Sequence, residues 1–61
     1  MMFKYNVGQL VYSAWGEPVK VLKCYSSGKD ENYPLYLVES LESGQVYSSN
    51  EKELTLISGL Q

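Results

Sequence analysis

Short apolar runs, separated by glycine and polar turns, constrain this chain more than any other feature. A glycine opens the first run at Val7-Gly8-Gln9-Leu10-Val11-Tyr12, and others follow at Pro18 to Tyr25 and Leu35 to Val38. A Ser43-Gly44 turn leads to Val46-Tyr47, and Glu53-Leu54-Thr55-Leu56-Ile57 comes last. The pattern contains no long helix. It predicts an all-β chain of five short strands closing into a single small, partly open barrel that spans residues 1–61. The competing architecture is a plain antiparallel sheet that needs a second copy to cover its face.

Along the chain, Phe3 to Val7 reads as an entry segment covering one open end of the barrel. Gly8 turns the backbone into a first strand, Gln9 to Ala14, with Val11 and Ser13 on one face and Leu10, Tyr12 and Ala14 on the other. Trp15-Gly16-Glu17-Pro18 is a turn, with Gly16 free to take positive φ. Val19 to Tyr25 forms the second strand, Val19 and Val21 facing one way, Lys20 and Leu22 the other. Ser26 to Pro34 is a long exposed loop. Leu35 to Glu39 is the third strand, with Tyr36 and Val38 on one face, and Leu41 to Gly44 is a hairpin turn whose glycine takes the left-handed position. Gln45 to Ser48 is the fourth strand. Ser49 to Leu54 is a single helical turn, capped by Ser49 or Asn50, with acids in its first turn. Leu54 to Ile57 is the last strand and Ser58 to Gln61 a tail.

A chain of 61 residues sits near the lower size at which a core holds without staples. Its 44% hydrophobic content, with six tyrosines, one tryptophan and one phenylalanine, provides for a real core. The expected stability is roughly 3–5 kcal/mol. A single cysteine, Cys24 within an apolar run, cannot form an internal disulfide and reads as a small buried hydrophobe. With no histidine, neither an activated thiolate nor an imidazole–thiolate metal cage can be assembled, so no metal or other cofactor is expected. No apolar run reaches membrane-span length and Met1-Met2-Phe3-Lys4 is not a signal sequence, so the expectation is a complete cytoplasmic protein without membrane contact.

The residues Tyr5 to Trp15, with valine-glycine before an apolar strand that ends in tryptophan, resemble the opening strand of SH3-like barrels of the Tudor and KOW type. Pro18-Val19 is similar to the start of that family's second strand. Gly44 to Leu54 matches its spacing from hairpin glycine to the leucine after the helical turn. The resemblance spans Tyr5 to Ile57 and implies a binding module. Tudor domains often hold a methylated cation in an aromatic cage. Trp15 falls at the first cage position, Glu17 stands near the second, and Glu39 and Glu42 occupy the others. The KOW resemblance implies contact with RNA or the ribosome.

Charge orders the functional alternatives. Seven acids against five lysines and no arginine leave a net charge of −2, which disfavours phosphate binding. The reading is therefore a small non-enzymatic protein-interaction module, an accessory protein of phage or bacterial kind. Its contact surface is predicted at Tyr12, Trp15 and Glu17, with Glu39 and Glu42 on the adjacent hairpin, aromatic burial at the centre and acids steering a basic partner. Tyr25, Tyr33, Tyr36 and Tyr47 are further aromatic candidates whose default place is the core. A nucleic-acid surface of Lys20, Lys23 and Lys29 beside Tyr25 is the second reading, and a structural homo-oligomer is the third. A barrel this small offers no deep pocket in which to raise a carboxyl pKa for catalysis.

Overall fold

The alternation seen in the sequence becomes an antiparallel sheet in the computed structural model, which describes residues 3–26 and 33–57. Five strands form: β1 (Leu10–Tyr12), β2 (Pro18–Ser26), β3 (Pro34–Ser40), β4 (Val46–Asn50) and β5 (Thr55–Leu56). A 3-10 turn, Glu51–Glu53, precedes β5. The strand order is β4-β3-β2-β1-β5, so the chain folds as one open sheet whose last strand returns to pair with the first. The expected barrel thus appears as an open sheet with β4 and β5 at its ends. The strands are offset by a few residues from the sequence reading: β1 is shorter, while β3 and β4 run on to Ser40 and Asn50. The predicted loop and tail fall largely on residues 27–32 and 58–61, outside the described residues.

One face of the sheet carries the core. Val11, Val19, Val21, Tyr36 and Val38 are fully buried, as the period-2 pattern requires, and Leu54 joins them from the end of the 3-10 turn. β-Branched valines suit this pleated, densely packed surface. The simple alternation in β2 stops at Leu22, where a bulge shifts the register: Val21 faces Val38, yet Lys23 faces Leu37. The extra residue restores inward direction at Cys24, which packs half-buried against the core. The Cys24 Sγ lies 3.4 Å from the Tyr5 carbonyl oxygen, and burial pushes its thiol pKa up. That is the environment of a quiet core thiol.

The entry segment closes the core. The Tyr5 ring is buried edge-to-face on Tyr36, with centroids 5.5 Å apart, and Phe3 packs on the same ring at 5.9 Å. Polar tips of both tyrosines are satisfied: Tyr5 Oη donates to the Leu54 carbonyl (3.0 Å), and Tyr36 Oη accepts from the Tyr5 N–H (3.2 Å) and donates to Glu51 Oε2 (2.5 Å). Val7, expected to help cover the core, is instead 66% exposed because the chain turns away there into Gly8. The 3-10 turn has a reciprocal cap: Asn50 Oδ1 accepts from the Glu53 N–H, and Glu53 Oε1 accepts from the Asn50 N–H.

Candidate partner-binding site

The site is built where two hairpin turns meet at one end of the sheet. In the β1–β2 connection the Ser13 N–H donates to the Glu17 carbonyl (2.8 Å), and the Glu17 N–H donates to Ser13 Oγ (3.1 Å). Gly16, at φ +80°, completes the turn and leaves Trp15 at its apex. In the β3–β4 connection Gly44 takes φ +77°, while Ser40 Oγ accepts from the Glu42 and Ser43 N–H groups. The same Ser40 hydroxyl donates to Glu17 Oε1, tying the two turns together.

Glu17 is the hub of this arrangement. Its second oxygen, Oε2, accepts from the Trp15 indole N–H (2.9 Å) and from Tyr47 Oη (3.3 Å). The Trp15 and Tyr47 rings stack with centroids 5.7 Å apart and planes 28° from parallel. Trp15 nevertheless remains 72% exposed. A large exposed ring would ordinarily sample several rotamers. Here a stack and a charge-assisted hydrogen bond fix it in one pose.

Hydrogen bonds from Ser40 and Trp15, with a smaller one from Tyr47, hold the Glu17 carboxyl below its usual pKa against a small opposing effect of burial. The group is therefore anionic at neutral pH and poorly suited to act as a general acid. Burial pushes the Tyr47 hydroxyl up, and the Glu17 charge adds to that rise while a hydrogen bond from Ser13 opposes it. Among the described residues no group of three or more histidine, cysteine or acidic side chains gathers as a metal site would require. No helix among them is long and apolar enough to cross a membrane.

Of the predicted contact residues, the structure brings Trp15 and Glu17 into direct contact. Glu42 is exposed in the neighbouring turn and reaches the cluster through its backbone bond to Ser40. Tyr12 and Glu39 lie elsewhere. Each neighbours an inward residue, Val11 or Val38, so each belongs to the opposite face of the sheet, where Glu39 stands between Lys20 and Val46. Tyr47, Ser40 and Ser13 take the places beside Glu17 that the sequence reading left empty. The available signal was the strand period: Tyr47 pairs with inward Val38, placing it on the same face. Tyr36 is core, Tyr33 is exposed, and Tyr25 Oη bonds Ser48 Oγ (2.8 Å). Lys20 and Lys23 are exposed, while Lys29 lies outside the described residues.

A concavity of about 280 Å³ lies at the far end of β4 among Tyr33, Pro34, Asn50, Glu51 and Lys52. Its polar atoms are already engaged in part: Asn50 Nδ2 donates to Tyr33 Oη (3.3 Å), and Glu51 Oε2 accepts from Tyr36 and from the Lys4 N–H. In comparisons with known proteins, the chain matches no family model, no curated protein and no solved structure.

Proposed function

We propose that this chain is a non-enzymatic protein-interaction module whose contact surface is the Trp15–Tyr47 stack with the Glu17 carboxylate beneath it. One observation carries the reading: Trp15 is largely exposed yet held in a single pose from two sides. Binding loses less entropy when the anchor is already fixed, and tryptophan is favoured at the centres of protein interfaces. Among the described residues the Glu17 charge meets hydroxyl and indole donors and no lysine, which favours a partner that brings its own positive charge. The return of β5 to β1 supports reading the sheet as an SH3-like barrel. The single cysteine, free as a thiol, supports a cytoplasmic location.

The test is an affinity pull-down from bacterial lysate with the native chain and Trp15→Ala, each with and without nuclease. A protein retained after nuclease and lost with Trp15→Ala is the expected result. Recovery that disappears with nuclease would transfer the function to a nucleic-acid surface. Recovery of the chain alone would leave the aromatic patch to self-association.

A further inference from the structure

Tyr47 belongs to β4, and β4 is an end strand of the sheet. Its outer edge can be assigned group by group. Ser40 N–H donates to the Gln45 carbonyl, so the antiparallel alternation directs that carbonyl and the backbone groups of Tyr47 and Ser49 toward β3. The backbone N–H and C=O of Val46 and Ser48 therefore point away from the sheet. At the far end the Asn50 N–H is already taken by Glu53 Oε1, so the open stretch lies beside Tyr47. The strand, Val-Tyr-Ser-Ser-Asn, contains no charged residue and no proline, the usual features that prevent an edge from pairing. At the other end of the sheet, β5 has only two residues.

From this juxtaposition we infer that the edge of β4 receives an extended, basic segment of a protein partner as an added strand. The proposal rests on the Trp15–Tyr47 reading and adds the mode of recognition. A residue of the added strand opposite Tyr47 would occupy a position without mutual hydrogen bonds, where cross-strand side chains approach most closely. It would project on the same side as Tyr47, the face that carries the Trp15 stack and the Glu17 carboxylate. Charge selects the occupant. A second copy paired about a two-fold axis would bring its own Glu17 toward the first, in a chain already at net −2. A segment with lysine or arginine at that position meets the carboxylate instead. Main-chain bonds would provide affinity and the Tyr47 position specificity.

The experiment uses the full chain and a synthetic library of short peptides in which β-branched residues alternate with randomised positions. The expected binders carry lysine or arginine at a randomised position, and their binding slows hydrogen exchange at the Val46 and Ser48 amides. Ser48→Pro removes an outward N–H and the exposed hydroxyl bond to Tyr25 but no backbone bond to β3, so it should keep the native circular dichroism while weakening these peptides by about tenfold or more. N-methylation of alternate peptide nitrogens tests the same bonds without altering the protein, and it should abolish binding. The proposal is overturned if no peptide binds, if the selected peptides are acidic or uncharged, or if methylated peptides bind equally well. Concentration-dependent dimerisation lost with Ser48→Pro would overturn it in favour of a second copy. Binding lost with Trp15→Ala and retained with Ser48→Pro would remove the edge and keep the aromatic patch. The reverse pattern would keep the edge and remove the patch.

Discussion

The molecule contains the same chemical arrangement twice, once inside and once outside. At the Tyr5–Tyr36 pair, a carboxylate, Glu51, accepts from an aromatic hydroxyl and from a backbone N–H. At the Trp15–Tyr47 pair, Glu17 accepts from an aromatic hydroxyl and an indole N–H. The inner rings are 1% and 0% exposed and meet edge-to-face, whereas Trp15 is 72% exposed and stacked. The inner carboxylate fastens the entry segment to the 3-10 turn. Its outer counterpart fastens two turns and fixes a ring that little else covers. An aromatic pair pinned by an acid is thus a structural lock where it is buried, and on the proposed reading a prepared surface where it is exposed.

Truncation should separate them most sharply. Tyr36→Ala removes a fully buried ring and should cost about 3–5 kcal/mol, comparable to the whole stability expected of so small a domain. The expected outcome is a chain with no cooperative thermal transition. Trp15→Ala should cost only about 0.5–1.5 kcal/mol, the value of an aromatic pair, and should retain a cooperative melt while losing its partner. Equal destabilisation by the two changes would show that Trp15 is part of the core and would collapse the comparison.

Removing only the hydroxyls sharpens it further. Tyr36→Phe leaves the buried Tyr5 N–H without an acceptor and should cost about 1–3 kcal/mol. Tyr47→Phe removes a long, partly exposed bond to a carboxylate that keeps two other donors, and it should shift stability by about 0.5 kcal/mol. Chemical denaturation of both variants tests this, with an unchanged denaturant slope showing that the unfolded states are alike.

How far the two regions were legible in the sequence differs for a physical reason. Strand count, the Gly16 and Gly44 turns, the Asn50 cap and the inward set Val11, Val19, Val21, Tyr36 and Val38 all follow from local chemistry and the period of two. The exposed Trp15 was legible because a turn offers little burial to a large ring. The link from Trp15 to Tyr47 was not, since it joins two different hairpins across the sheet. Glu39 neighbours the right hairpin in the sequence, but the period sets it on the opposite face and gives that position to Ser40. The bulge at Leu22 left no local signal: a leucine run reads the same with or without an extra residue.

The effects of pH have the same sign in the two locks and separate them by size, in alkali. Hydrogen bonds lower both carboxyls, Tyr36 being the main cause at Glu51 and Ser40 the main cause at Glu17. A group whose native pKa is depressed adds stability above its unfolded value, and that contribution is lost as pH falls through the lower native value. Both locks should therefore weaken in acid, below the ordinary carboxylate value of 4.5. Alkali discriminates between them. Burial, reinforced by the bond to Glu51, pushes Tyr36 from 10.0 up to about 12. The native state thus holds that proton more tightly than the unfolded chain, so its contribution is intact below 10.0 and is lost as pH rises toward 12. In a series of denaturation curves across that range, stability of the native chain should fall with pH. The fall should be clearly shallower in Tyr36→Phe and only slightly shallower in Tyr47→Phe, whose hydroxyl burial also pushes up. An equal flattening in both variants would mean that the exposed pair is as tightly held as the buried one, and the distinction between lock and surface would fail.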